Sequence, residues 1–148
     1  MREEKWQSTP ESRDHTIRWR FVGKRHEQGA TIRSYRDLIA WQKAMTLVVE
    51  AYRVSSRFPR DERFGLRDQI RRCAVRVPSC IAEGWARRST RDYIRFLRIA
   101  QGSGFELSTQ AELPQNLGFD GDWPTLRAHT EEVARILNGL ISSLMANG

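Results

Sequence analysis

Arginine side chains recur at helical spacing through the middle of the chain. Arg60, Arg63, Arg67 and Arg71 are separated by three or four residues, which would place them on one stripe of a helix. Sixteen of the seventeen Lys and Arg residues after Ser34 are arginine. A guanidinium group binds a phosphate through two parallel hydrogen bonds, whereas lysine would serve solubility equally well. The arginine bias therefore favours phosphate contact.

The candidate phosphate-binding residues belong to one basic segment that continues along the chain to Arg95 and Arg98. They are Arg60, Arg63, Arg67, Arg71, Arg72, Arg76, Arg87, Arg88 and Arg91. The partner that they favour is a nucleic acid, bound by its phosphates with little sequence specificity and with a steep dependence on salt. No helix-turn-helix, zinc finger or aromatic RNA-binding strand is present to read sequence. A solvated face and an acidic protein partner are the two alternative interpretations.

Charge is polarised along the sequence. The formal net charge is +7, which favours an anionic partner. Residues 53–98 contain thirteen arginines and five acidic residues, whereas residues 99–148 contain two arginines and six acidic residues. The middle of the chain is therefore basic and its end acidic.

The residues that could support catalysis form no recognisable set. Glu83, Glu106 and His129 supply no acid, base and nucleophile at a useful spacing, and the "QGSG" of residues 101–104 lacks the lysine of a phosphate loop. The sequence therefore predicts a protein that is not an enzyme and that has no cofactor. Glu83 and Glu106 are instead expected to hold arginines within the bundle or between subunits.

The two cysteines suit a reduced core better than a cross-link or a metal site. Cys73 and Cys80 are seven residues apart, which is two turns or about 10 Å along a helix, too far for a disulfide within one helix. Metal binding is the alternative, but the three histidines are scattered and no CxxC is present. We predict two thiols buried in the core and no metal.

Length and composition are those of one domain with an extension. The chain has 148 residues, of which 39% are hydrophobic and 29% charged. Residues 1–33 are polar, lack a sustained period and are predicted to be a flexible basic extension, and residues 34–148 are predicted to fold as one domain. No run is long enough to span a membrane, and the first residues lack the apolar core of a signal peptide. A cytoplasmic location is therefore expected.

Hydrophobic periodicity predicts four amphipathic helices in that domain. The expected buried faces are Leu38, Trp41, Met45, Val48 and Tyr52 in the first helix; Leu66, Ile70, Cys73, Val77 and Ile81 in the second; Tyr93, Phe96, Leu97, Ala100, Leu107 and Ala111 in the third; and Leu126, Val133, Ile136, Leu137, Leu140 and Leu144 in the fourth. No strand pattern competes with them. Short turns between helices of this length predict an all-α, antiparallel up-down four-helix bundle.

Prolines and glycines punctuate these helices. The apolar face of the second helix continues through Pro78, which predicts one kinked helix, with two short helices as the alternative. Gly84 is expected to end that helix, and Ser89 and Asp92 have the spacing of a capping box for the third. Small residues at 101–104 suggest close approach of another backbone or a weakened helix. Pro114 is expected to end the third helix.

Several segments resemble one known family, the four-helix bundle proteins encoded by intervening sequences of bacterial 23S ribosomal RNA genes. The relatives of this family include the accessory variability determinant of diversity-generating retroelements. The most specific segments are "AWQKA", "FP..E..GL..QIRR", "VPS.IAEG" and "F...L.IA.GS..EL", which occur in the family's order between about residues 35 and 119.

The resemblance implies a protomer that assembles into a homopentameric barrel with basic surfaces. It also implies, for the retroelement branch, binding of nucleic acid and of a reverse transcriptase. The residues expected to matter for structure or for the oligomer are Pro78, Glu83, Gly84, Gly102, Ser103, Gly104 and Glu106. An accessory role for a reverse transcriptase is therefore the alternative to nucleic-acid binding as the main function.

Overall fold

Four helices form the body of the molecule. A computed structural model describes residues Lys5–Thr9, Arg18–Val22, 32–62 and 64–147. The helices are α1 (Ile39–Ser55), α2 (Leu66–Trp85), α3 (Thr90–Asn116) and α4 (Trp123–Ala146), and short 3₁₀ turns cover Tyr35–Asp37 and Arg60–Glu62. Each helix packs on the next, and α1 also packs on α4, whereas the backbones of diagonal pairs of these helices lie farther apart. Short connections make neighbours antiparallel, and the predicted four-helix bundle is confirmed.

Two strands precede the helical domain, within the segment that was predicted to be a flexible extension. Two strands, β1 (Lys5–Thr9) and β2 (Arg18–Val22), pair antiparallel with Lys5 opposite Val22. Each is five residues long, so neither run is long enough for the alternation of a strand to stand out in the sequence. β1 lies beside α4. The predicted flexibility of the other residues up to 31 falls outside the described residues.

The core-facing side of α1 is not the predicted one. Ala40, Ala44, Leu47, Ala51 and Val54 are buried there. Small alanine side chains let α1 lie close to its neighbours, and that close packing, rather than side-chain size, decides which face turns inward.

The larger apolar residues of α1 lie beside this buried face, where they form an apolar stripe on the surface. It consists of Trp41, Met45, Val48, Val49 and Tyr52. Trp41 and Val48 are half-buried, whereas the exposed fraction of the residue is 40% for Met45 and 67% for Val49. Of the residues predicted as the core of this helix, only Leu38 is buried, and it precedes α1.

The predicted core faces of the other three helices are confirmed with two exceptions. Leu66 and Ile136 are half-buried, and every other residue predicted for these faces is buried. Where α1 ends and α4 begins, the ring of Phe58 stacks on Trp123, with 5.1 Å between centroids, and meets Phe119 edge-on. Trp123 is only 1% exposed, so these three aromatic rings close the hydrophobic core at that end of the bundle.

Pro78 and Pro114 both lie inside helices. α2 continues unbroken through the buried Pro78, so the prediction of one helix rather than two is confirmed. α3 continues past Pro114 to Asn116, so the prediction that Pro114 ends it is wrong. Beyond Asn116 the chain leaves the helix direction at Gly118, whose φ of 75° suits glycine, and Phe119 N–H donates to the Pro114 carbonyl (2.8 Å) and Gly118 N–H to that of Gln115 (3.2 Å).

The turn between α2 and α3 is short because both of its ends are well defined. Ser89 Oγ accepts a hydrogen bond from Asp92 N–H (3.1 Å) and donates one to Asp92 Oδ2 (2.9 Å), which fixes the start of α3 as predicted. α2 includes Gly84 and ends at Trp85, one residue beyond the expected end. In the described ranges, no helix has the length and apolar character needed to cross a membrane.

Candidate nucleic-acid interface

The predicted arginines do not form a single site. Arg60, Arg67 and Arg71 lie near the turn between α1 and α2, whereas Arg87 and Arg88 lie in the turn between α2 and α3. α2 separates these turns by its own length, about 30 Å for twenty residues. One short ligand would therefore reach one end of the bundle or the other.

The other predicted arginines follow the same division. Arg72 is close to the first end, Arg76 lies midway along α2, and Arg91 begins the second group on α3. Arg63 falls outside the described residues.

The guanidinium group of Arg71 makes hydrogen bonds and a cation–π contact with residues of α1. Its Nε donates to Ser55 Oγ (2.9 Å), its Nη2 donates to the carbonyl of Tyr52 (3.3 Å), and its guanidinium lies 4.4 Å from the centroid of the Tyr52 ring. Burial and the nearby positive charge of Arg67 lower the pKa of this guanidinium from its ordinary value. Arg71 therefore links two helices, and its role in binding stays a prediction.

Two other predicted arginines are partly neutralised by acidic residues one helical turn away. Arg72 Nη2 lies 2.8 Å from Asp68 Oδ2, and Arg87 Nη2 lies 2.7 Å from Glu83 Oε1. The guanidinium of Arg87 also covers the face of Phe96 at 4.4 Å from the ring centroid. These contacts reduce the positive charge that either side chain offers to a phosphate.

A second cluster of arginines lines a cleft between the start of α3 and the end of α4. The basic cleft has a volume of about 830 Å³. Its rim carries Arg91, Arg95 and Arg98, and its apolar residues are Ile94, Leu144 and Met145. The three arginines are spaced four and three residues apart, which places them on one face of α3.

The arginines of the basic cleft lack the neutralising partners seen on α2. Within the described ranges, no carboxylate oxygen lies within 4.0 Å of Arg88, Arg91, Arg95 or Arg98. The carboxylate of Asp92, the acidic residue in the cleft, accepts a hydrogen bond from Ser89 Oγ, and the Asp92 backbone N–H donates to the same Oγ. Among the described residues, the cleft and the adjoining turn therefore hold four arginines that make no salt bridge, and Arg67 and Arg76 on α2 make none either.

Among the predicted structural residues, Gly84 makes the closest helix contact. A Cβ placed on Gly84 would lie 2.8 Å from Phe96 Cβ and 3.0 Å from Tyr93 Cδ2. The space at this position therefore admits only glycine, and α2 and α3 come close together here. Glu83 lies on the surface and pairs there with Arg87, four residues further along, and not with an arginine inside the bundle.

The small residues within α3 have separate environments. A Cβ on Gly104 would make ordinary contact with Thr130 Cγ2 of α4 at 3.8 Å, whereas a Cβ on the exposed Gly102 would meet nothing within 4 Å. Ser103 is buried and donates a hydrogen bond to the Ile99 carbonyl (3.0 Å). α3 is continuous through all three residues, so this segment does not interrupt the helix.

A polar cluster joins α2 to α3 beside the core. Gln110 Nε2 lies 3.4 Å from both Gln69 Oε1 and Glu106 Oε1. Burial, reinforced by Glu106, raises the pKa of the Cys73 thiol to about 11, and burial also raises that of Cys80. Both cysteines are free and buried, as predicted. In the part of the chain that the structure describes, no group of three or more His, Cys, Asp or Glu residues could hold a metal ion.

The residues predicted from the sequence to bind nucleic acid do not include all the residues of the basic cleft. Arg95 and Arg98 continue the arginine spacing of Arg91, so the signal for them was present in the sequence. The apolar residues Leu144 and Met145 lie about fifty positions further along the chain, and only the packing of α4 on α3 brings them to the arginines.

Comparison with known proteins identifies a family and a similar fold. Residues 36–139 match the family model described as 23S rRNA-intervening sequence protein. No curated protein matches the chain. The fold is similar to a crystal structure of a protein of unknown function from the S23 ribosomal protein family of Bacteroides thetaiotaomicron, with a TM-score of 0.65 and 19% identity over 70% of this chain and 98% of that one. At this identity the likeness shows the fold alone.

Proposed function

The chain belongs to the 23S rRNA-intervening sequence protein family, and from this premise we propose that it is a non-enzymatic, oligomeric nucleic-acid-binding protein of the cytoplasm. Its ligand is RNA or an RNA/DNA hybrid, which it holds by the phosphates with little sequence specificity. The contact surface is the basic cleft together with the adjoining Arg88.

The observation that carries this proposal is the group of arginines without acidic partners at one end of the bundle. Arg88, Arg91, Arg95 and Arg98 are exposed, and none of them has a described carboxylate within salt-bridge distance. A surface that needed only to be solvated would gain from the alternating charges seen at Arg72 and Asp68. Four adjacent guanidinium groups repel one another until an anion binds, so phosphates are the favoured ligand.

A salt series on two matched double variants tests which end of the bundle binds. Arg91→Gln with Arg95→Gln removes two charges from the basic cleft, and Arg57→Gln with Arg60→Gln removes two from the opposite end. Binding of a structured RNA and of a DNA duplex would be measured by fluorescence anisotropy. For the duplex, we expect the cleft variant to reduce the magnitude of the slope of log K against log salt by about 2, since each phosphate contact contributes about 0.9. The control variant should stay near the wild-type slope.

The opposite pattern would overturn the placement of the site. Loss of affinity only in the Arg57 and Arg60 variant would move the interface to the turn between α1 and α2. Absence of binding by the wild-type chain, even at low salt, would reject nucleic-acid binding and leave the arginines as a protein-docking face.

We further propose that the protomers assemble into a homopentameric barrel. The separation of charge along the chain supports this, because a ring needs two different faces on each protomer that recognise each other. Basic residues dominate positions 53–98 and acidic residues outnumber basic ones at positions 99–148, so each protomer carries charges of both signs for such contacts.

The apolar stripe of α1 favours a second candidate function, an accessory role for a reverse transcriptase in a diversity-generating retroelement. Met45 and Val49 remain exposed on this stripe, and arginines such as Arg71 border it. Apolar side chains gathered on one exposed helix face are typical of a surface that docks another protein. Met45→Glu should abolish co-purification with a reverse transcriptase encoded beside the gene and leave RNA affinity unchanged. Retained co-purification would reject the stripe as the docking surface.

A further inference from the structure

The basic cleft combines cations with apolar side chains, which a surface for phosphates alone does not need. Met145 is 58% exposed and Ile94 is half-buried, and both line the cleft between the arginines of α3 and the end of α4. Arg98 Nη2 lies 3.6 Å from the thioether sulfur of Met145, so charged and apolar groups meet within the same cleft. A ligand that fills it must present an anion and an apolar surface together.

The spacing of the arginines suits consecutive anions on one strand. Arg91, Arg95 and Arg98 rise along α3 by about 6 and 4.5 Å, from the 1.5 Å rise of each helical residue. These rises are comparable with the distance between successive phosphates of one nucleic-acid strand. Ile94 lies between Arg91 and Arg95 in the sequence, which places an apolar group beside this row of charges.

We propose that the basic cleft binds an unpaired nucleotide, with its base against Met145, Ile94 and Leu144 and the flanking phosphates on Arg91, Arg95 and Arg98. This inference rests on the proposed nucleic-acid function and adds that the ligand is single-stranded at this site. A volume of about 830 Å³ lies within the range of pockets that enclose small organic groups.

A duplex cannot use the apolar part of the cleft. In double-stranded RNA the bases are stacked inside the helix and the deep major groove excludes side chains, so a protein meets mainly phosphates and 2′-hydroxyl groups. An unpaired base exposes a flat apolar face and can leave the strand to pack on a protein surface. The arginines would contact either form, whereas Met145 would contact only the single strand.

Methionine methyl NMR reads this contact directly. The chain has three methionines, Met1, Met45 and Met145, so a ¹³C-methyl-labelled sample gives three signals, and Met45 on α1 is an internal control. The ligands are an oligouridylate of about 12 nucleotides, within the range that a small domain covers, and an RNA duplex of equal length. We expect the single strand to shift the Met145 signal through the ring current of a bound base. The duplex should bind without that shift, and Met45 should not move.

Binding to matched variants gives a second measurement. Met145→Ser removes the apolar contact near the end of α4, where an exposed residue is replaced at small risk to folding. We expect it to weaken oligouridylate binding about three- to tenfold and duplex binding by less than about twofold. Met45→Ser, the same substitution on the exposed stripe of α1, should leave both affinities unchanged.

The outcomes separate this inference from the function on which it rests. Tight binding of the oligouridylate without a Met145 shift, or equal shifts with both ligands, would overturn the unpaired-base contact and leave phosphate binding intact. Absence of binding by either ligand would reject the nucleic-acid function itself. A Met145 shift produced by an acidic amphipathic peptide and by neither nucleic acid would make the cleft a protein-docking site.

Discussion

Arginine side chains have different structural roles in this bundle, and these roles depend on the residues around them. The Arg71 guanidinium donates hydrogen bonds to Ser55 Oγ and to the Tyr52 carbonyl and lies over the Tyr52 ring. Arg72, the next residue, forms only a salt bridge with Asp68 at the surface. Both occur in the same basic run of the sequence, but only contacts with α1 distinguish them. An arginine stripe alone therefore does not identify which of its members bind a ligand.

The two adjacent arginines give a prediction about stability. Arg71→Gln removes hydrogen bonds and a cation–π contact between α1 and α2 and should lower the free energy of unfolding by about 1 to 2 kcal/mol. Arg72→Gln removes an exposed salt bridge within one helix and should cost less than about 0.5 kcal/mol. Urea denaturation followed by circular dichroism measures both changes. Equal losses would show that the Arg71 contacts between helices add nothing.

The buried thiols give a prediction about reactivity. Because burial raises the pKa of Cys73 to about 11, roughly one thiol in a thousand is ionised at pH 8. We expect neither Cys73 nor Cys80 to react with Ellman's reagent in the folded protein, and both to react in concentrated guanidinium chloride.

A surface control makes the thiol result interpretable. Ser79→Cys places a thiol at an exposed position of the same helix and should add one fast-reacting group. Fast reaction of the unmodified chain would mean that α2 opens away from α3, against the buried positions of its cysteines.

At the scale of the helices, close approach is set by one glycine. Gly84 lies against Tyr93 and Phe96 with no space for a methyl group, whereas the exposed Gly102 has open space around it. The sequence suggested the opposite assignment, with a helix end at Gly84 and close packing near Gly102. Both residues are helical glycines, and only the position of the neighbouring helix separates them.

These glycines form a matched pair for substitution. Gly84→Ala should lower the free energy of unfolding by about 1 to 3 kcal/mol, because the new methyl group forces α2 and α3 apart. Gly102→Ala should raise it by up to about 1 kcal/mol, since alanine favours the helix and meets nothing. Thermal and urea unfolding of the two variants would test this. A stabilising Gly84→Ala would contradict the contact with Phe96.

The helices were predictable from the sequence to different degrees. Residues of α2, α3 and α4 that recur every three or four positions are buried, because their large side chains mark the inward face. α1 misled the prediction, since its inward face is largely alanine and its bulkier residues form the stripe beside it. The basic cleft was predictable only in its arginines, because its apolar side chains include two from the far end of α4.

At the scale of the whole molecule, one end of the bundle carries the candidate ligand surface and the side of α1 carries the candidate protein surface. The basic cleft lies where α3 starts and α4 ends, and the apolar stripe runs along α1, which packs on α2 and α4 but not on α3 within the described ranges. The cleft is formed by α3 and α4 and the stripe by α1, so the two surfaces share no helix.

The proposed barrel predicts a particle mass. Five copies of the 17.3 kDa chain give about 87 kDa, which light scattering after size exclusion would measure directly. If basic and acidic faces join the protomers, raised salt should shift this mass toward that of one chain. A mass of about 17 kDa at low salt and high protein concentration would reject the assembly.

The order of the interhelical contacts also bears on how fast the chain folds. α1 packs on α2, α2 on α3 and α3 on α4, so three of the four contacts join segments that follow one another, and only the contact of α1 with α4 spans the bundle sequence. Little loop-closure entropy is lost before the first native contacts form. A nascent or refolding chain would therefore reach the native bundle quickly, in the microsecond-to-millisecond range of helical bundles, and would expose its core to aggregation only briefly.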